Sequence, residues 1–154
     1  MDNTDRRILR TLQRNGRISN QDLADAVGLS PSPCLRRLRQ LEADGRIAGY
    51  AALIDRKACG LAVTAFVMIR LQSHAGTASA EFERRVAAME EVLQCHLVSG
   101  VHDYLLEVVA EDLEGYEDFL RHRLHALPNV AAIETSFSVS TVKRTPACPV
   151  PASD

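Results

Sequence analysis

Three residues, Gly28, Leu29 and Ser30, separate two stretches of helical spacing, and so short a connector forces the second helix to cross the first steeply. The stretch before it begins at Ser19, with Asp22 three positions on in a capping-box pattern, and places Leu23, Ala24 and Val27 on its inner face. Gly28 ends that helix where a left-handed residue costs least. The stretch after it, "SPSPCLRRLRQLEADG", has Ser30 as cap and Pro31 and Pro33 in a first turn whose N–H groups have no intrahelical partner in any case. Its spacing predicts Leu35, Leu38 and Leu41 inward, with Ser32, Arg36, Arg39 and Gln40 outward and Arg37 at the flank. Ahead of both, "NTDRRILRTLQRNG" predicts a first helix with Ile8, Leu9 and Leu12 inside, Asn3 or Thr4 as cap and Gly16 as stop.

A basic helical face is usually only a solvated face. Here it coincides with a short helix–turn–helix connector and with arginines confined to one side of the second helix, which together point to duplex DNA. Guanidiniums can fork onto guanine or phosphate, and a helix N-terminus favours phosphate oxygens. The candidate DNA-binding residues are Ser30, Ser32, Pro33, Arg36, Arg37, Arg39 and Gln40. Charge divides along the chain in the same sense: residues 1–60 hold 11 Lys+Arg against 7 Asp+Glu, while residues 61–154 hold 7 against 13. Only the first part is suited to a polyanion. Residues 1–50 therefore read as a DNA-binding domain. The alternating run "GRIAGYAALID" at 45–55 is expected to form a wing or an exit strand, and residues 51–60 a strand or hinge linker.

The remainder reads as β-α-β-β-α-β over residues 61–145: strands at 61–72, 92–99, 103–110 and 130–143, and helices at 77–90 and 112–129. This split-βαβ order gives an α+β, ferredoxin-like domain with both helices on one face of an antiparallel sheet. The helices are expected to bury Phe82, Val86 and Met89, then Tyr116, Phe119, Leu120, Leu124 and Leu127. The last strand places Thr135, Phe137, Val139 and Thr141 on one face. The first strand is apolar on both sides, with Ala65, Val67 and Ile69 against Phe66, Met68 and Leu71. A monomer would expose one of those rows, so a dimer through the open sheet face is expected. The Pro-rich residues 146–154 read as a loose tail.

Several functions find no support. No stretch is long and apolar enough for a membrane span and no signal-peptide pattern opens the chain, so a cytoplasmic protein is expected. Cys34, Cys59, Cys95 and Cys148 are widely spaced, without the CxxC pair of a zinc site, and His96, His122 and His125 do not complete a ligand set, so neither metal nor cofactor is expected. His102 and Asp103 invite a catalytic reading. Neighbouring residues entering a strand point to opposite faces, however, and no nucleophile elbow or phosphate loop accompanies them, so no enzyme is expected.

Two segments, "GLSPSPCLRR" and "LVSGVHDYLL", stand in an order that resembles the Lrp/AsnC (leucine-responsive, feast/famine) family of transcriptional regulators, and the likeness runs from about residue 3 to 145. The resemblance implies a winged helix–turn–helix domain joined to a βαββαβ regulatory domain of RAM type, and homodimers that assemble into tetramers or octamers. It implies sequence-specific DNA binding at the nucleoid, governed by a free amino acid. The effector site it implies comprises Ser99, Gly100, Val101, His102, Asp103 and Tyr104 of the turn, with Leu97, Leu113, Thr135, Ser136, Phe137 and Ser138 as walls. A Gly-containing turn offers backbone N–H groups to a carboxylate, and Asp103 can accept from an ammonium. The commonest family pattern has an acidic residue and then a large aromatic before the aspartate, whereas this chain has Val101 and His102. The competing reading is an architectural DNA-binding protein with no small-molecule response.

Overall fold

The computed structural model describes residues 1–73 and 76–151. It divides into two compact units, one formed by Met1–Leu53 with the C-terminal segment from Val142, the other by Ile54–Thr141.

The first unit contains α1 (Asn3–Arg14), α2 (Asn20–Val27) and α3 (Pro31–Ala43). The cap of α1 is Asp2 rather than Asn3 or Thr4. Its carboxylate accepts from the Thr4 and Asp5 amides while Asp5 answers in a reciprocal capping box, and Asn15 rather than Gly16 closes the helix. Ser19 caps α2 as expected, accepting from the Asp22 N–H. Gly28 follows at φ 68°, and the Leu29 N–H returns to the Ala24 carbonyl at 2.9 Å, the bond of a Schellman ending. Ser30 starts α3 but makes no side-chain cap bond. One of the two amides a cap normally serves belongs here to Pro33, which has no N–H. The apolar core is Ile8, Leu23, Ala24, Val27, Cys34 and Leu41, with Leu9, Leu12 and Leu38 against it. Cys34 thus takes the inward position that the leucine spacing assigned to Leu35.

Residues 45–55 form no strand. A strand needs a partner for its ladder, and residues 51–55 lie exposed with none; Tyr50 instead donates to Glu42 Oε1 at 2.9 Å.

The second unit holds β1 (Val63–Leu71), α4 (Gly76–Val86), β2 (Val92–Leu97), β3 (Tyr104–Ala110), α5 (Leu113–Phe119), a π-helical turn (Leu120–Leu124) and β4 (Val130–Phe137). The sheet order is β2-β3-β1-β4 and every neighbouring pair is antiparallel. Ala65, Val67, Ile69 and Leu71 of β1 and Tyr104, Leu106 and Val108 of β3 are buried with Phe82, Val86, Met89, Tyr116, Phe119, Leu124 and Leu127 from the helical layer. Leu71 therefore belongs to this row and not with Phe66 and Met68. The last strand stops at Phe137, leaving Val139 and Thr141 outside it and exposed. The terminal segment is not loose: residues 148–151 are hydrogen-bonded to α1. No helix among the described residues is long and apolar enough to cross a membrane.

Tyr104 is 2% exposed, stacks near Phe82 with ring centroids 4.6 Å apart, and donates to Glu83 Oε1 at 2.7 Å. Burial, and then the carboxylate it serves, push its phenol up to about 12. An unfolded chain releases that proton near pH ~10, so between about 10 and about 12 the folded state holds a proton that the unfolded state has lost, and stability falls as pH rises. Tyr104→Phe should be less stable than the parent at neutral pH, and the gap should narrow in urea melts taken from about pH 9 to about pH 11.

Candidate DNA-binding and effector surfaces

The start of α3 is held against α2 by its own backbone: the Asn20 side-chain amide donates to the Pro31 carbonyl at 3.0 Å. That bond and the Gly28 turn fix which face α3 turns outward. Ser32, Leu35, Arg36, Arg39, Gln40 and Ala43 line one shallow surface along it. The positions i, i+3, i+4, i+7, i+8 and i+11 are those of a single helical stripe. Arg36 and Arg39 are exposed and make no ion pair among the described residues. Gln40 is turned along the helix, donating to Asp44 Oδ1 at 2.7 Å.

Arg37 has a different setting. Its Nη1 donates to Asp2 Oδ2 and Asp5 Oδ1, both at 2.8 Å, so it ties α3 to the first turn of α1. Hydrogen bonds to Asp5 and Asp2 raise the Arg37 pKa, and Asp2 is held below the usual carboxylate range by the Asp5 backbone N–H foremost, with Arg37 adding to it. The sequence pattern grouped Arg37 with Arg36 and Arg39; a pair more than thirty positions apart gives no local signal. Ser30 and Pro33 stand at the helix start, Ser30 exposed and Pro33 half-buried.

The second surface is the turn between β2 and β3. It is closed by the Val98 N–H donating to the Asp103 carbonyl and the Asp103 N–H donating to the Ile69 carbonyl, both at 2.8 Å. Between those closures the backbone N–H groups of Ser99, Gly100, Val101 and His102 make no hydrogen bond among the described residues. Gly100 stands at φ 130°, a conformation that favours glycine. Asp103 Oδ2 accepts from the Leu71 N–H at 2.7 Å, so its carboxylate reaches across to the end of β1. His102 Nε2 lies 3.3 Å from Glu134 Oε2 on β4. The two side chains of the suspected pair therefore have separate partners. Leu97 and Val101, 73% and 79% exposed, leave apolar surface beside the turn.

The remaining candidate residues do not all gather there. Tyr104 faces the helices, behind the turn. Thr135 and Phe137 also face the helices: Thr135 Oγ1 and the Tyr116 hydroxyl are 2.6 Å apart, and the Tyr116 and Phe137 rings meet edge to face at 5.0 Å. Burial raises the Tyr116 phenol above its ordinary value. Phe137 pairs with Ala65 and Ser136 with Phe66, whereas the turn adjoins Ile69, which pairs with Ile133. Leu113 starts α5 beyond the far end of β3, and at ~3.3 Å per residue the length of that strand puts it roughly 20 Å from the turn. One copy of the chain thus carries the turn at one end of β3 and Leu113 beyond the other, while Thr135, Ser136 and Phe137 at the end of β4 alternate between the two sheet faces. Sequence reasoning missed Glu134 as a neighbour of His102, because their meeting depends on the β1–β4 register.

Both halves of the chain match known families. Residues 1–48 match the winged helix-turn-helix DNA-binding family and residues 64–148 the Lrp/AsnC ligand binding domain. The Bkd operon transcriptional regulator of Pseudomonas aeruginosa is 40% identical, over 92% of this chain and 93% of that one. The leucine-responsive regulatory protein of Escherichia coli is 42% identical, over 94% and 88%. Among solved structures, a transcriptional regulator from Neisseria meningitidis in complex with L-Met superposes with a TM-score of 0.93 at 38% identity, covering 97% of this chain and 96% of that one. An AsnC family transcriptional regulator from Agrobacterium tumefaciens gives 0.93 at 36% identity, with 97% of both chains covered. With a DNA-binding unit, a ligand-binding domain and relatives of this closeness along nearly its whole length, the chain belongs to the Lrp/AsnC family of transcriptional regulators.

Proposed function

We propose that this regulator binds duplex DNA through the outward stripe of α3, led by Arg36 and Arg39, and that a free amino acid held at the β2–β3 turn governs the binding. The observation that carries the amino-acid reading is the run of unpaired N–H groups from Ser99 to His102 beside the Asp103 carboxylate. Consecutive backbone donors suit a carboxylate, and a carboxylate acceptor suits an ammonium, so the turn offers both halves of a zwitterion's complement. The Neisseria relative, solved in complex with L-Met, supports the same class of ligand. Arg37 serves the scaffold through Asp2 and Asp5 and is not among the base-reading groups.

The reading also asks for more than one copy of the chain. Phe66 is 40% exposed on the open face of the sheet, with Met68 and Leu105 beside it, and the Arg56–Glu107 ion pair (2.6 Å) spans part of that face. A second copy laid on this row removes it from water. Further association then brings Leu113 of one copy to the turn of another, which one copy cannot do across the length of β3. A regulator acting on DNA in this way works in the cytoplasm, at the nucleoid.

Three outcomes are expected. Arg36→Ala should weaken operator binding by ~1–3 kcal/mol if the guanidinium reads a base, and should lower the salt slope by about one if it holds a phosphate. Fluorescence anisotropy across a salt series separates the two, and parental affinity with a parental slope removes Arg36 from the interface. Asp103→Asn keeps an acceptor for the Leu71 N–H and loses the charge, so it should preserve the melting temperature and abolish amino-acid binding in calorimetric titration against the twenty amino acids. Asp103→Ala should in addition destabilise the fold by ~1–3 kcal/mol, because it strands that N–H. A parental titration for the Asn variant would sink the ammonium role. By light scattering, the full chain should have the mass of a dimer or a multiple of it at micromolar concentration, and a monomeric mass would contradict the open-face pairing.

A further inference from the structure

The C-terminal segment takes no part in either surface, yet the structure gives it a definite seat. Arg6, Arg10 and Gln13 follow one another along α1. Arg6 Nε donates to the Pro151 carbonyl at 2.7 Å, Arg10 Nη2 donates to the Val150 carbonyl at 3.1 Å, and Gln13 Oε1 accepts from the Cys148 N–H at 2.6 Å. The segment therefore runs antiparallel to the helix. The spacings agree: from Cys148 to Pro151 an extended proline-rich chain covers ~9 Å at ~3.1 Å per residue, and from Gln13 to Arg6 the helix covers ~10 Å at ~1.5 Å per residue.

Two features make the seat favourable. Among the described residues Arg6 is the buried charged side chain, and a buried guanidinium must be hydrogen-bonded; Asn3 Oδ1 takes one donor at 3.3 Å and the Pro151 carbonyl another. Pro146, Pro149 and Pro151 restrict the undocked chain, so docking costs less entropy than it would for an ordinary tail.

We propose that Cys148–Pro151 is a strap that completes the DNA-binding unit. That unit is then built from both ends of the chain and joined to the ligand-binding domain by two connections, one entering β1 and one leaving β4. The second connection leaves β4 at Phe137 and ends on α1, which shares one core with α2 and α3.

Hydrogen–deuterium exchange on the full chain and on a chain ending at Thr145 tests the strap. Without it, amides of residues 6–14 should exchange about tenfold faster, as expected for the loss of a hydrogen bond to a charged group, while amides of β1 and β3 keep their rates. Arg6→Ala in the full chain should give a comparable rise, and truncating that variant should add little. If Arg6→Ala unfolds the unit, Gln13→Ala, which removes only the Cys148 acceptor, should still speed exchange in the last turn of α1. Unchanged exchange in α1 after truncation, or an equal rise in α1 and the sheet, would overturn the strap.

Discussion

Strand β1 is apolar on both faces and hydrogen-bonded along both edges, and the rest of the ligand-binding domain follows from that. One row, Ala65, Val67, Ile69 and Leu71, is satisfied by the helices. Alternation then obliges Phe66 and Met68 to the opposite face, where the same chain has no third layer to offer. Apolar area left in water forgoes roughly 25 cal/mol per Å² of stabilisation, so this face is the natural place for a second copy.

The same strand positions the effector turn. Leu71 lies where the β1–β4 register shifts, between Arg70 and Leu71, and its N–H turns to Asp103 Oδ2. Asp103 is thus part of the sheet before it is part of any ligand site. In the proposed function, an ammonium at the turn meets a group already joined to β1. The catalytic reading of His102 with Asp103 fails for the same reason: each residue is committed to a different strand.

The parts of this structure that rest on short-range pattern were legible in the sequence. The Ser19 cap, the Gly28 ending, the order of the second domain and most of its buried residues follow from spacings of two to four positions. The misreadings have physical causes of longer reach. Leu35 was placed inside because the leucine repeat hides Cys34, a small apolar residue one position earlier that packs as well as leucine against Ile8 and Leu23. The wing or exit strand expected at 45–55 has the right alternation but no ladder partner among the described residues, and alternation alone makes no hydrogen bond. The terminal prolines suggested looseness, whereas an extended chain with free carbonyls is what a row of arginine and glutamine side chains can hold. The assignment of Leu113 and Tyr104 to one site with the turn came from family resemblance, which pools residues from several copies without saying which copy supplies each.

That pooling bears on effector specificity. Where the commonest family pattern has an acidic side chain and then an aromatic one, Val101 is neutral and exposed and His102 turns to Glu134. A carboxylate still stands near the turn, but it comes from β4 and reaches the turn through a histidine. Val101 and Leu97 leave an apolar rim on the turn itself. In the proposed function, backbone N–H groups and Asp103 serve the zwitterion common to all amino acids, and discrimination between them falls to groups beside the turn such as His102, Leu97 and Val101.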